Sequence, residues 1–181
     1  MVIEFDQVQM TRRLYPMPQI FKERMTTEIE GEFVVFLIGM RVNNWWKVHK
    51  WLPVFKAMPQ MLKELSADPN SGLMGFRLLN QLTVLQYWRS LDHLMNYSRQ
   101  KDRAHLPAWR TFNKIMGSDD SDVGIWHETY RIQPGNYEVI YRNMPAFGLG
   151  DAFGLVPVSK KRESAYTRLT HKKESAEVSM A

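Results

Sequence analysis

Histidines have the widest chemical range among the side chains of this sequence, and four stand in its body: His49, His93, His105 and His127. Imidazole titrates near neutral pH, so a histidine can act as a general base, and its neutral form is a good axial ligand for haem iron. His105 lies in DRAHLPAWRTFN, two residues before Pro107. Because a proline interrupts helical hydrogen bonds, we expect the break to aim this imidazole into a cavity.

His105 and His49 each allow a chemical and a structural interpretation. Trp109 follows His105 by four residues and would suit a flat apolar ligand. The imidazole could instead bond the Arg103 carbonyl, which the proline leaves unpaired. His49 stands one turn from Trp45 in WWKVHKWLPVF. It is either an acid, base or substrate contact in a cavity or a residue on the margin of an amphipathic helix.

His127 lies in VGIWHETYRI, a run typical of a strand. Side chains alternate between the faces of a strand, so Trp126 and Tyr130 point away from His127. If the two aromatic residues face inward, they line a cavity; if His127 does, it supplies a second base or ligand. The alternation does not decide between the two. His93 opens a predicted helix, where a cation is unfavourable, and we expect it at the surface.

The elements that carry these histidines follow from the spacing of apolar residues. EFVVFLIGMRV predicts a first strand, and apolar residues at steps of three or four predict a helix from Asn43 to Ala67. GLMGFRLLN and QLTVLQYWRS predict a hairpin, followed by a helical segment that Ser90 caps and Pro107 interrupts. VGIWHETYRI is the next strand, and YEVIYRNMP is expected to extend the sheet.

The first helix carries signals for its start and for a bend. Asn43 or Asn44 can cap its beginning. Pro53 and Pro59 fall inside it, and each removes one backbone hydrogen bond. We therefore expect this helix to kink or break near its middle.

The order strand, helix, strand, strand, helix, strand predicts an α+β fold of the ferredoxin-like, split βαβ type, with both helices on one face of an antiparallel sheet. The other face needs cover, which a second copy of the chain would supply, so we expect a homodimer. Gly39 and Gly75 either permit close backbone approach or local bending within the strands, or are simply tolerated.

Length and composition limit the remaining possibilities. The 181 residues, 44% hydrophobic and 24% charged, fit one soluble domain, and the lack of cysteine excludes disulfides and thiolate sites. We divide the chain into an N-terminal arm (1–30), a ferredoxin-like domain (31–156) and a basic tail (157–181). The longest apolar run, Phe33 to Met40, is too short to cross a bilayer, so we expect a cytoplasmic protein without a transmembrane segment. Lysines among the tryptophans at 45–51 do not make a nucleic-acid motif, and no nucleic-acid partner is expected.

Several strings together carry a resemblance to a known family: VVFLIGMRVNNWWKVHKWLPVFKAMP, LQYWRSLDHLMNYSR, HLPAWRTFN, VGIWHETY and YRNMPAFGLG. Over about 31–155 the chain resembles the monooxygenase-like family named for the polyketide monooxygenase of fumagillin biosynthesis. That family is similar to antibiotic-biosynthesis monooxygenases, and its superfamily implies a dimeric α+β barrel.

The resemblance implies two chemistries. In cofactor-independent relatives a base removes a substrate proton and the carbanion meets oxygen between aromatic walls; in haem-binding relatives a histidine late in the second helix ligates iron, and His105 is similarly placed. We expect an oxidoreductase acting on a small apolar or aromatic secondary metabolite, with no cofactor or haem b. The alternative is a noncatalytic haem or hydrophobic-ligand binding protein. The candidate catalytic residues are His105 and His49, and the candidate substrate contacts are Trp45, Trp109, Trp126, His127 and Tyr130.

Overall fold

The architecture comes from a computed structural model, which describes residues 18–100, 104–116, 121–159 and 164–170. The described part contains short and long elements of both kinds. In chain order they are β1 (Met25–Thr26), β2 (Phe33–Val42), α1 (Val48–Ala67), β3 (Leu73–Asn80), β4 (Thr83–Trp88), α2 (Leu91–Arg99), α3 (His105–Met116), β5 (Val123–Ile132), α4 (Leu149–Phe153), β6 (Val156–Pro157) and α5 (Ala165–Thr170).

The main sheet has four strands in the order β3-β4-β2-β5, and every neighbouring pair is antiparallel. This order, with α1 between β2 and β3 and α2 and α3 between β4 and β5, is the ferredoxin-like fold. The predicted α+β class is therefore confirmed. The YEVIYRNMP segment, however, does not join this sheet. Tyr141 bridges Met25 and Met144 bridges Phe21, because Tyr141 is buried against the arm that precedes β2.

The principal core lies between the helices and one face of the sheet, and its buried members are Val34, Leu65, Trp88, Leu94 and Tyr97. Leu65 belongs to α1, which continues through Pro53 and Pro59 to Ala67 without a break. The expectation of a break was wrong, whereas the kink stays a prediction. Met58, next to Pro59, contacts Gln86 of the sheet, and Leu62 and Leu65 after it are buried. Burial of each large apolar side chain contributes about 1.5–3 kcal/mol, which can offset a lost backbone bond.

The helix starts also differ from the predictions. No side chain caps α1, which begins after Lys47; Asn44 Oδ1 instead accepts the Trp46 N–H at 3.3 Å. Ser90 does cap α2, because its hydroxyl accepts the His93 backbone N–H. The break in the second helical segment precedes Pro107, which lies in the first turn of α3, where a backbone N–H is not required.

The second face of the sheet is covered in part by the chain's own C-terminal segment. Phe33 is only 1% exposed, and the centre of its ring lies 5.3 Å from that of Tyr137 and 5.2 Å from that of Phe153. Gly75 lies under Ala152, where a Cβ atom would approach the alanine methyl to 3.1 Å. Of the interpretations left open for Gly75, this contact favours close approach.

The rest of that face is open, and we call its aliphatic and aromatic side chains the second-face patch: Val35, Leu37, Leu85, Trp126 and Tyr130. The exposed carboxylate of Glu128 lies among them, opposite Leu37. Trp126 and Tyr130 are 39% and 48% exposed. The Trp126 indole lies directly over Gly39, where a Cβ atom would come within 2.7 Å of Nε1. Gly39 is thus also a point of close approach.

The helix α5, which follows β6, contacts the segment after β5 through an ion pair between Arg168 and Glu138. Arg168 on α5 donates from Nε to Glu138 at 2.6 Å, and its side chain is almost completely buried. The predicted boundary between residues 156 and 157 falls inside β6.

Among the described residues, no helix combines the length and apolar character that a membrane span requires.

Candidate functional site

His105 is half-buried at the start of α3, and its ring is held by the end of α2. Nδ1 lies 3.1 Å from the Ser98 carbonyl oxygen. A carbonyl can only accept, so Nδ1 carries the hydrogen and Nε2 of the neutral ring keeps its lone pair. Burial lowers the pKa of His105 below its ordinary value of 6.5, and the Ser98 hydrogen bond opposes this with a smaller effect. The neutral imidazole is thus favoured at pH 7.

A row of side chains leads from His105 into the core. The Tyr97 ring lies 5.9 Å from the His105 ring and 6.0 Å from the Trp88 ring, measured between centres. Trp88 then donates its indole N–H to Gln86 Oε1 at 2.9 Å. Gln86 is 4% exposed at the centre of the helix-facing side of the sheet.

The row continues to the edge of the sheet and resolves the orientation of β5. Phe36 is paired with Gln86 across β2 and β4, and its ring centre is 5.5 Å from that of His127. We call the six side chains His105, Tyr97, Trp88, Gln86, Phe36 and His127 the helix-facing row. His127 is exposed at its outer end.

Trp126 and Tyr130 lie on the opposite side of the sheet from His127. Their cross-strand partners are Gly39 and Val35, and both belong to the second-face patch. The Tyr130 hydroxyl donates to Glu128 on the same face. The alternation of β5 therefore places His127 with the helices and separates it from the two aromatic candidates.

Trp45 and His49 lie near the start of α1. Trp45 is 59% exposed and meets Trp51 edge to face at 5.6 Å, while the Trp51 indole donates to the Trp45 carbonyl. Trp51 in turn contacts Phe55 at 6.4 Å, which forms an aromatic row along α1. His49 is exposed in the first turn. The structure does not bring His49 and His105 into contact.

Trp109 lies one helical turn after His105, so the two share a face of α3. It is 46% exposed and stacks on Phe112 at 5.6 Å. Arg103, the other partner considered for His105, lies outside the described residues. The described partner of the His105 Nδ1 is Ser98.

His93 is half-buried rather than exposed as expected. Its Nδ1 is 2.8 Å from the Ser90 hydroxyl, and its ring packs on Gly72, where a Cβ atom would come within 2.4 Å. Gly72 has a φ of +81°, which permits this close turn. His93 lines a polar cleft of about 230 Å³, together with Asp68, Asn70, Ser71, Asn96, Tyr97 and Gln100.

Sequence reasoning missed Gln86, Tyr97 and Phe36. The available signal for Gln86 is the alternation in TVLQYW, where it shares its face with Val84 and Trp88. A polar residue at an apolar position of a central strand is costly to bury without a purpose.

Ion pairs between Asp122 and two lysines join the start of β5 to the start of α1. Asp122, directly before β5, accepts from Lys47 at 2.7 Å and from Lys50 at 2.9 Å. The lysine contacts lower the pKa of Asp122 to about 2, with Lys47 the largest cause. A side-chain hydrogen bond from Asn44 also lowers the pKa of the Asp122 carboxyl group. The start of α1 is thus tied to the start of β5.

Comparison with known proteins identifies the family. A crystal structure of a dimeric protein of unknown function with a ferredoxin-like fold, from Bacteroides fragilis, is 13% identical, and the match covers 54% of this chain and 96% of that chain with a TM-score of 0.37. No curated protein sequence matches significantly. The family model described as Monooxygenase af470-like matches residues 33–149, from β2 to the first residue of α4. Since this match spans more than half of the sequence, the chain belongs to the monooxygenase af470-like family.

Proposed function

We propose that this chain is a monooxygenase-type oxidoreductase that acts on a small apolar or aromatic secondary metabolite, with His105 as the base. The observation that carries the proposal is the Nδ1 contact to Ser98, which leaves the Nε2 lone pair available. A base of lowered pKa remains unprotonated at pH 7. Membership of a monooxygenase-like family supports the reaction class.

The proposed reaction is balanced without a reductant. His105 removes a proton from an electron-rich carbon of the substrate, and the carbanion reacts with O2. One oxygen atom becomes a new carbonyl of the product, and the other leaves as water with two hydrogens from the substrate. The substrate supplies all four electrons. A phenolic or anthrone-like compound has the required acidity and electron density.

The other candidate residues have unequal support in this proposal. Trp109 is favoured as a substrate contact because it shares a face of α3 with His105. His127, exposed on the helix-facing side of the sheet, and Trp45, exposed before α1, remain proposed contacts, and His49 remains a proposed second acid or base. Trp126 and Tyr130 lie on the other face of the sheet and are better suited to contact a second subunit.

Oxygen uptake with a panel of phenolic and polyketide compounds tests the proposal. The wild type should consume oxygen with at least one of them. His105→Asn keeps a donor at the position of Nδ1 but lacks a basic nitrogen, so it should fold and lose about 10²–10⁴-fold in rate. Full activity of this variant contradicts the role of His105.

The same geometry favours one alternative, a noncatalytic haem-binding protein. Haem-ligating histidines usually donate the other ring N–H to a carbonyl or carboxylate, as His105 does to Ser98. Hemin added to the purified protein would then give a Soret shift that His105→Ala abolishes. Saturable binding without oxygen uptake across the panel favours this alternative.

A homodimer through the second-face patch belongs to the same proposal. The patch exposes Trp126 and Tyr130, with Glu128 between them, beside three half-buried aliphatic side chains. Large exposed apolar patches on folded proteins commonly mark interfaces. Sedimentation at micromolar concentration tests it, and a strict monomer contradicts it.

A further inference from the structure

Gln86 is a buried polar side chain whose two ends are unequally satisfied. The Trp88 indole nitrogen can only donate, so the end that it contacts at 2.9 Å is the amide oxygen. The other end is therefore the NH2 group. Its partner in the described part of the chain is Met58 Sδ at 3.9 Å, and a thioether sulfur is a weak acceptor. Buried amides normally have stronger partners than this.

The neighbours of Gln86 become more exposed towards one edge of the sheet. Phe36 on β2 is half-buried, and His127 on the edge strand β5 is exposed. Met58 approaches from α1 on the same side and is also half-buried. Phe36 thus lies between the exposed His127 ring and the buried amide donor, and Met58 contacts that donor from α1.

We propose that the Gln86 NH2 group is the polar anchor of a ligand site between α1 and the sheet, and that it donates to the carbonyl or phenolic oxygen of an aromatic or conjugated ligand. The ligand class rests on the proposed function. Trp88 holds the amide in the donating orientation, while Phe36 and Met58 form the apolar walls. Gln86 orients the ligand and transfers no proton.

Anaerobic binding of two probes tests this site without turnover. 2-Naphthol carries the oxygen that Gln86 should bind, and naphthalene is the same ring system without it. The wild type should bind 2-naphthol about tenfold more tightly, the usual effect of one added hydrogen bond. Gln86→Met should remove this preference while keeping naphthalene affinity. Met58→Leu is the matched control: it keeps the apolar wall and the amide, so the preference should remain.

A spectroscopic measurement separates a direct contact from a change in packing. The side-chain ¹⁵N–¹H signals of Gln86, identified by their loss in Gln86→Met, should shift with 2-naphthol and not with naphthalene. Equal affinities in the wild type, an unchanged preference in Gln86→Met, or no binding of either probe overturns the proposal. Selective binding without oxygen uptake contradicts the proposed reaction but preserves this site. Oxygen uptake without a preference for 2-naphthol supports the proposed reaction and overturns this site.

Discussion

At the scale of single residues, the proposed role of His105 as the base depends on its hydrogen bond to Ser98, which selects one tautomer. Its pKa lies below 6.5, so the base form should predominate at neutral pH. We predict that the rate constant kcat/KM is constant near pH 7 and falls on acidification, with an apparent pKa below 6.5. The pH profile of oxygen uptake measures this. An acid limb centred above 6.5 assigns the base to another group.

Part of this site could be predicted from the residues. The proline and aromatic neighbours drew attention to His105, which is half-buried; its direction into a cavity stays a prediction, and its contact with Ser98 was not expected. That contact depends on how α2 ends relative to α3, which no local pattern specifies. Gln86 escaped attention because a single polar residue in a strand has no period of its own. His127 could not be oriented because both faces of β5 mix polar and apolar residues.

At the scale of elements, Asp122 links α1 to β5 through Lys47 and Lys50. We predict that Asp122→Asn lowers the melting temperature at pH 7, because two lysines lose their carboxylate. Thermal unfolding monitored by circular dichroism measures the change. Glu128→Gln on β5, which leaves these lysines paired, is the control.

The same contact predicts a pH dependence of the free energy of unfolding. The pKa of Asp122 is about 2 in the folded chain and starts from 3.8, so its contribution is complete above 3.8. It should be lost as the pH falls from 3.8 towards 2, when the carboxylate is protonated. Urea unfolding across this range should show a weaker dependence in Asp122→Asn. Parallel curves for the two proteins contradict the assignment.

The contact of β2 with β5 at Gly39 is also testable. A methyl group at Gly39 would overlap the Trp126 indole. Gly39→Ala should therefore destabilise the fold by about 1–3 kcal/mol. Trp126→Ala in the same chain should recover part of the loss. A double-mutant cycle from urea unfolding measures the coupling, and additive effects exclude the overlap as the cause.

Strands and helices could be predicted more reliably than their interruptions. The β-branched run of β2 and the three-to-four spacing of α1 correctly indicated their types. The effects of the prolines depended on position: Pro53 and Pro59 are tolerated within packed α1, and Pro107 falls in a first turn. The packing that decides these cases involves residues distant in sequence.

At the scale of the whole molecule, the sheet carries the helix-facing row on one side and two kinds of cover on the other. The C-terminal segment covers Phe33, a contact made over more than one hundred residues that apolar spacing could not predict. Trp126 and Tyr130 remain exposed, and the proposed second subunit would cover them. We predict that the wild type sediments as a dimer and that Trp126→Glu sediments as a monomer, since burying an unpaired carboxylate is unfavourable.

A control variant with the same added charge at another exposed tryptophan distinguishes loss of the interface from a general effect of the charge. Trp46→Glu adds the same charge at a side chain that is 95% exposed beside α1, away from the second-face patch. This variant should sediment as the wild type does. A dimer that persists in Trp126→Glu assigns the interface to another surface.

We propose that this member of the family transfers one atom of O2 to its substrate with His105 as the base. Mass spectrometry of the product formed under ¹⁸O2 tests this reaction most directly. We expect one labelled oxygen atom in the product, the other in water, and loss of labelled product in His105→Asn. A product without label, or undiminished labelling by His105→Asn, contradicts it.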